Sequence, residues 1–351
     1  MGRVSDILHR KIKENAECGI RQYSTGLPKI QSFVDGVRQH NMVTIGGRSG
    51  SGKTSFVLNN YVYKPLMQCI KEGRDDLEII IFCLELADYL TLSKLVTCYI
   101  FDKYGYQIGM RDMLSFSEKL GPVAMKYIDE AWSVIEEMEK HIIFKNVRFD
   151  SNELIHVISQ YYEKKGHFDE NEKWIPDNPD LITLGIIDHI GEVVVSPGKT
   201  KKQEIDDIAD VCKKTRNVFG TSWCILQQIN RSVANVGRRD RYPGLELDDF
   251  KDSGSVAEKS DSVIGLYYPF GMKDYSFGGY NVKELRQILK VAQILKCRWG
   301  ASDAAVGLAY YGKACWFSEI PKSDEIKDYN MYKTASWVRE QAQIETGLDE
   351  I

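Results

Sequence analysis

The sequence predicts an α/β fold with a mostly parallel central sheet, antiparallel strands along one edge and a short helix ahead of the body. Two patterns carry this prediction. Between Met42 and Leu226 short apolar runs alternate with stretches of helical periodicity, the pattern of βαβ crossovers and of a parallel sheet covered on both faces. Beyond Ser262 four apolar runs follow one another with little helix between them, as antiparallel strands at a sheet edge would. The chain has 351 residues, 43% of them hydrophobic, which is enough to bury a sizeable core. The single alternating pattern favours one large domain over two small ones.

Taken in order, Val4, Ile7, Leu8 and Ile12 recur at helical spacing and make residues 3–17 a short amphipathic helix that needs a partner surface. Gly26-Leu27-Pro28 then breaks the chain, so residues 18–28 are expected to be a linker. Met42 to Gly46, Leu77 to Leu84, Leu181 to Ile187 and Ser222 to Leu226 are the first strand candidates. Helical patterns lie at Ser55 to Met67 and after Lys201, where Ile205, Ile208, Ala209 and Cys212 mark one face. Residues 104–140 read as helical throughout, and His167 to Asp180, charged and containing two prolines, reads as an exposed loop insertion. The antiparallel candidates are Ser262 to Tyr268, Gln287 to Cys297, Ala305 to Tyr311 and Cys315 to Glu319. Met331, Ala335, Val338 and Ala342 share a helical stripe ahead of an acidic chain end; packing on the body is its plainer role, partner docking the sharper one. The expected organisation is 1–28 helix and linker, 29–321 main domain and 322–351 helical tail.

Eight cysteines are scattered singly, with no pair or His/Cys cluster at metal-ligand spacing, and are read as buried thiols in a reducing compartment. Met1 to Lys13 lacks the apolar core of a signal peptide and no stretch approaches the length of a membrane span, so a soluble, cytoplasmic protein without a membrane partner is expected. A net charge of -4 gives no global electrostatic case for nucleic acid, so any such binding must be local.

Gly47-Arg48-Ser49-Gly50-Ser51-Gly52-Lys53-Thr54 fits G-x-x-x-x-G-K-[ST] between a strand and a helix. In that setting the glycines let backbone N–H groups wrap phosphates and the helix N-terminus adds its dipole. Lys53 neutralises the outer phosphates, and Thr54 places a hydroxyl on Mg²⁺. With Ser55, these residues form the candidate site for ATP or another NTP. Glu85 follows an apolar run and so stands at the C-terminal end of a parallel strand, where ligands of such sheets bind; a general base for water is expected there, an acid favouring the next helix being the plainer alternative. The next such strand ends in Asp188-His189, the form of an aspartate that holds Mg²⁺ through water, with His189 a packing neighbour. Gln228 ends a third and is placed to sense the terminal phosphate, although an exposed loop glutamine is commoner.

With these residues in hand the chain resembles the ring-forming replicative helicases, both the C-terminal domain of bacterial DnaB-type proteins and the helicase half of phage and mitochondrial primase-helicases. The likeness runs from about Gly26 to Pro321 and rests on GGRSGSGKTS at Gly46 to Ser55, IFCLEL at Ile81 to Leu86, IIDHIGEV at Ile186 to Val193, LQQINRS at Leu226 to Ser232, LDDFKDSGSVAEKSD at Leu247 to Asp261 and ILKCRWG at Ile294 to Gly300. It implies a RecA-like P-loop NTPase core in which Glu85 is the catalytic base, Asp188 the Mg²⁺ aspartate and Gln228 the sensor. Lys296 and Arg298 are implied to be fingers reaching the neighbouring subunit's nucleotide, where a planar guanidinium suits developing phosphoryl charge. Lys251-Asp252 stands where the family usually has Arg-Glu in a DNA-facing loop, a similar charge pattern with shorter reach; Gly254 follows it.

Arg231, Arg238, Arg239 and Arg241 fall within eleven residues holding a single acid, Asp240. Phosphate contacts by such a loop are sequence-independent and salt-sensitive. The resemblance thus implies a homo-hexamer with single-stranded DNA in its channel, unwinding duplex 5′ to 3′ in phage or bacterial replication, with a primase, helicase loader or polymerase as further partners. It also implies that the N-terminal helix packs on an adjacent core. Two rivals remain: a recombination ATPase, because Lys296 to Gly300 is also similar to the Lys-Asn-Arg-Phe-Gly element of RadA, and a RecA-fold regulatory ATPase acting on a protein.

Overall fold

A computed structural model describes residues 5–333 except 7, 10, 11, 14, 15, 17, 18, 20, 85, 115–118 and 230–243, and gives backbone alone for 251–253. Every described position from 5 to 16 is helical, and Leu8 and Ile12 are 58% and 56% exposed, so this apolar stripe lacks cover from the described residues of its own chain. The stretch expected to be a linker is instead built into the body from Arg21 onward. Tyr23 bridges to Val37, Tyr23 and Leu27 are fully buried, and Asp76 accepts hydrogen bonds from both Arg21 and Tyr23. Gly26 does turn left-handed and Pro28 does open a short helix, α1 (Pro28–Gln31). Burying a side chain such as Leu27 contributes about 1.5–3 kcal/mol, which a linker would forgo.

β1 (Met42–Gly47) runs into the phosphate-loop sequence. The helix after it, α2, starts at Lys53–Val57, passes through a π-helical segment at Leu58–Tyr63 and ends at Lys64–Lys71. The π segment turns Asn59 inward, where its Oδ1 accepts from Phe317 N at 3.0 Å. β2 (Leu77–Cys83) leads to α3 (Asp88–Tyr104), stopped by Gly105 at φ 63. The helix expected over 104–140 is therefore broken, since residues 105–109 leave the helical path and a short helix at Met110–Met113 precedes α4 (Pro122–Lys140). β3 (Ile142–Lys145), too short to have been anticipated, and α5 (Ser151–Tyr162) follow.

The insertion is not the simple exposed loop its composition suggests. It forms a hairpin of β4 (Gly166–Phe168) and β5 (Trp174–Pro176), and Trp174 packs edge-on against Tyr162 and Phe219. Then come β6 (Ile182–Asp188), α6 (Lys201–Phe219), β7 (Ser222–Gln228), α7 (Gly254–Lys259) and β8 (Ser262–Tyr267). β9 (Leu289–Cys297), β10 (Ala304–Tyr311) and β11 (Trp316–Glu319) complete the sheet.

Among the described residues the main sheet has nine strands, in the order β11-β10-β9-β8-β1-β7-β6-β2-β3. β8, β1, β7, β6, β2 and β3 are parallel to one another, whereas β9, β10 and β11 are antiparallel. The antiparallel edge thus begins one strand later than expected: β8 lies parallel to β1, with Val43 opposite Ser262, because the connection from Gln228 is long enough for a crossover. Helices cover both faces. α2, α3 and α4 pack on one, and α5 and α6 on the other, where Ile205, Ile208, Ala209 and Cys212 are all buried as their stripe required. Of the described cysteines, Cys83 and Cys297 are half-buried rather than buried, and Cys297 Sγ donates to Phe33 O at 2.9 Å.

Candidate active site

Register along the parallel strands gathers the predicted residues at one sheet edge. Gly47 is paired with Gln228 across β1 and β7, and Cys83 with Asp188 across β2 and β6. The loop between β1 and α2 turns on Gly50 at φ 79 and Gly52 at φ 93, values that favour glycine. Lys53 Nζ donates to Gly47 O at 2.9 Å and to Arg48 O at 3.2 Å, so its amine is folded into the loop it is meant to serve. Gly46 is needed for another reason: a Cβ there would stand 2.0 Å from the Phe250 ring. Gln227 Nε2 donates to Phe250 O at 3.1 Å and ties β7 to the segment that carries Lys251 and Asp252.

A cavity of about 220 Å³ opens at this edge. Ser49, Gly50, Gly52, Lys53, Thr54 and Ser55 of the loop line one side; Asp188, His189 and Gln228 line the other. Arg48 and Ser51 of the motif face a neighbouring cavity with Tyr268 and Met272 instead, and Arg48 Nη1 contacts Met272 Sδ at 2.8 Å. Thr54 and Asp188 put a hydroxyl and a carboxylate into the same cavity. That donor set fits Mg²⁺, which takes hard oxygens, keeps several waters and is commonly held by one or two carboxylates plus substrate phosphates. His189 Nδ1 accepts from Gly191 N at 3.0 Å, a turn-capping bond consistent with a packing role. Among the described residues no group of three or more His, Cys, Asp or Glu is arranged to hold a metal by itself.

One lining residue was not anticipated. Lys94, on α3, reaches the cavity beside Ser55. Its signal was weak, a single lysine nine residues after a strand-terminal glutamate.

Lys296 and Arg298 are not brought to this cavity. β9 is antiparallel to β8, so Lys296 pairs with Val263 and Cys297 with Ser262, at the start of β8, while Gly46 pairs with Gly265 near its end. The two cations therefore stand at the sheet edge opposite their own phosphate loop. Lys296 Nζ donates to Ala257 O at 3.0 Å and Glu258 O at 2.6 Å, and burial, with Arg298 nearby, holds it below the usual lysine range. Arg298 Nη1 pairs with Asp261 Oδ1 at 2.9 Å.

Glu85, Arg231, Arg238, Arg239 and Arg241 lie outside the described residues. Lys251 and Asp252 belong to a 3₁₀ segment, Leu247–Ser253, and Gly254 opens α7.

The profile of the DnaB-like helicase C-terminal domain matches residues 23–319. The chain belongs to this family. The match begins at Tyr23, in the stretch whose burial joins it to the body. The replicative DNA helicase DnaB of Helicobacter pylori strain J99 is 23% identical over 247 residues, 69% of this chain and 43% of that protein. The DnaB of Buchnera aphidicola is 23% identical over 255 residues, 71% of this chain and 47% of that one. The chain thus spans less than half the length of these curated relatives.

Among solved structures, an isolated ATPase domain aligns with a TM-score of 0.70 at 18% identity, covering 92% of this chain and 100% of that one. A DnaB-like replicative helicase studied with primase aligns at 0.67 and 18% identity, covering 90% and 67%. Likeness at that identity shows the shared fold, a RecA-like α/β core with antiparallel edge strands. No helix among the described residues is long and apolar enough to cross a membrane.

Proposed function

We propose that this chain is the motor of a replicative DNA helicase: a ring of six copies that hydrolyses ATP or another NTP, moves 5′ to 3′ along single-stranded DNA in its channel and separates the duplex. The observation that carries the reading is an incomplete site. Lys53, Thr54, Asp188 and Gln228 meet in one cavity, while the cations Lys296 and Arg298 lie at the opposite sheet edge, as service to another copy requires. Thr54 and Asp188 would hold Mg²⁺, which would supply neutralisation of phosphate charge. Lys53 and the loop N–H groups hold the phosphates, Glu85 takes the proton of the attacking water, and Arg298 of the adjacent copy meets the charge that develops in transfer.

Assembly has support of its own. The exposed Leu8 and Ile12 face has a counterpart in Met125 and Trp132, which share one face of α4 and are 42% and 52% exposed. An exposed apolar patch on each of two elements is the pattern of a contact between copies. Arg231, Arg238, Arg239 and Arg241 are assigned to DNA phosphates, with Lys251, Asp252 and Gly254 in the adjoining loop, and Gln228, at the end of β7, transmits the state of the nucleotide to the arginines that follow it in the chain. A primase, helicase loader or polymerase completes the expected set of partners.

The test is hydrolysis with Mg²⁺ and nucleotide, with and without single-stranded DNA, together with unwinding of a fork bearing a 5′ tail; Lys53→Ala and Arg298→Ala serve as controls. Stimulation by DNA and unwinding support the reading. Hydrolysis indifferent to DNA favours a regulatory ATPase, and strand exchange without unwinding favours a recombination ATPase.

A further inference from the structure

The hairpin of β4 and β5 borders a cavity of about 700 Å³ against the ends of α5 and α6, and a second of about 280 Å³ lies beyond the same wall. Tyr162, Trp174, Val218 and Phe219 line both. Tyr162 stacks on Phe219 with ring centroids 4.3 Å apart, and Phe168 meets Trp174 edge-on at 5.3 Å. Phe168 is 52% exposed and Val218 38%, and Trp174 Nε1 is a buried donor without an acceptor. Uncovered apolar surface beside an unmet donor is the mark of a surface that another segment covers. Lys214, Glu163 and Glu172 stand at the larger cavity and Lys173 at the smaller; among the described residues none of the four has a partner at ion-pair distance.

The chain carries a segment of matching chemistry. Residues 334–351 lie outside the described residues, and in their sequence Trp337, Ile344, Leu348 and Ile351 fall at i, i+7, i+11 and i+14, the spacing of one helical face. Glu340, Glu345, Asp349 and Glu350 are the acids of this segment and Arg339 its one base, which complements Lys173 and Lys214 with the acids and Glu163 or Glu172 with the arginine. An amphipathic segment that lays its apolar face in a groove is a recurring mode of recognition.

Position in the fold decides which copy supplies it. The groove lies at the start of the parallel strands: Tyr162 pairs with Thr221 at 2.8 Å, just ahead of β7, and His40 of the smaller cavity bonds Arg216 O, whose guanidinium holds the Asp261 that pairs with Arg298. It therefore shares the edge of Arg298. Residue 333 stands at the nucleotide edge instead: Tyr332 O accepts from Tyr311 OH at 2.5 Å, and Tyr311 ends β10 beside Tyr310, whose hydroxyl meets Ser55 at 3.0 Å. In the proposed ring the nucleotide edge of one copy faces the Arg298 edge of the next, so residues 334–351 begin opposite a neighbour's groove. A segment of this length reaches about 60 Å when extended, enough to cross the interface.

We propose that residues 334–351 of one copy dock in the aromatic groove beside the β4–β5 hairpin of the next, with Trp337 seated against Phe168 and Val218. The assignment rests on the proposed ring and adds to it a contact away from the nucleotide, which holds adjacent copies together whether or not a nucleotide is bound.

In the experiment, full chain with benzoylphenylalanine in place of Phe168, or in place of Val218, is assembled with unmodified full chain labelled with heavy isotopes. The mixture is held in Mg²⁺ with a non-hydrolysable triphosphate, irradiated, and read by mass spectrometry of cross-linked peptides and by light scattering. The expected product joins the light groove position to a heavy peptide from 334–351. Trp337→Ala in the heavy copy should lower that product by about tenfold or more, the range for an aromatic anchor at an interface. Lys173→Glu together with Lys214→Glu in the light copy should lower it further, and thermal unfolding shows that each variant remains folded.

An intact ring in which neither groove position captures 334–351 overturns the docking alone. Capture only within one copy, light to light, overturns the assignment to a neighbour. Undiminished capture with Trp337→Ala overturns the anchor. A folded chain that light scattering finds as single copies overturns the ring reading and this assignment with it.

Discussion

Arg298 Nη1 lies 2.9 Å from Asp261 Oδ1, and the other oxygen of the same buried carboxylate takes Arg216 Nη1 at 2.5 Å and Met42 N at 3.0 Å. Asp261 thus joins the cation at the end of β9 to the first residue of β1, the strand whose other end is the phosphate loop. Arg298 is 37% exposed at its side chain, so it can leave this partner without unpacking the core, and Arg216 keeps Asp261 compensated when it does.

From this follows an expectation in trans. Arg298→Ala should lower hydrolysis by about 10³-fold or more, the range for a phosphoryl-transfer arginine, with nucleotide affinity little changed. Mixing Arg298→Ala with Lys53→Ala subunits should restore part of the activity, because some interfaces then pair an intact loop with an intact finger. Steady-state hydrolysis across mixing ratios checks this, and normal hydrolysis by Arg298→Ala alone refutes the finger role.

Gly46 and Phe250 make a second prediction. Gly46→Ala places a methyl group into the Phe250 ring, and overpacking of this kind costs about 1–3 kcal/mol. Phe250→Leu in the same chain should recover part of it. Urea midpoints of the two single variants and the double variant measure the coupling.

Lys290 is a buried amine, 2% exposed, whose Nζ stands 3.0 Å from the centroid of the Tyr268 ring. Burial brings it down to about 7. In the unfolded chain it titrates near the ordinary lysine value of about 10.4, so between these values the unfolded state binds more protons and stability rises with pH. Lys290→Met should therefore stabilise the protein most at or below pH 7, with the gain shrinking towards pH 10. Denaturant unfolding at the two ends of that window decides it.

Glu204 shows the opposite sign. Burial alone would raise its carboxyl, but bonds from Ser151 and Ser196 outweigh that and bring it to about 2. Its folded value is below the unfolded one of about 4.3, so the contribution is complete above that pH and is lost as pH falls through about 2. Glu204→Gln is expected to cost about 1–3 kcal/mol at pH 7 and progressively less below pH 4, measured by urea unfolding against wild type at each pH.

Much of the site was legible because its parts are local. Gly50, Gly52, Lys53 and Thr54 declare their geometry through spacing alone, and Asp188 and Gln228 do so by standing where an apolar run ends. Lys94 was not legible, since a lysine in a helix has no spacing rule and only the tertiary structure makes it a lining residue of the cavity. The hairpin at Gly166–Phe168 and Trp174–Pro176 escaped for a related reason: its strands are three residues each around a charged turn, and what orders them is contact with Tyr162 and Phe219.

By itself the sequence determined the alternation of strands and helices, the phosphate loop and the family likeness, because each is written in side-chain period or in contiguous motif. Tertiary structure alone decided that Tyr23 and Leu27 belong to the body, that β8 joins the parallel strands, and that Lys296 and Arg298 face away from their own loop. Those outcomes depend on strand register and direction, which are set by pairing between residues far apart in the chain and leave no local trace.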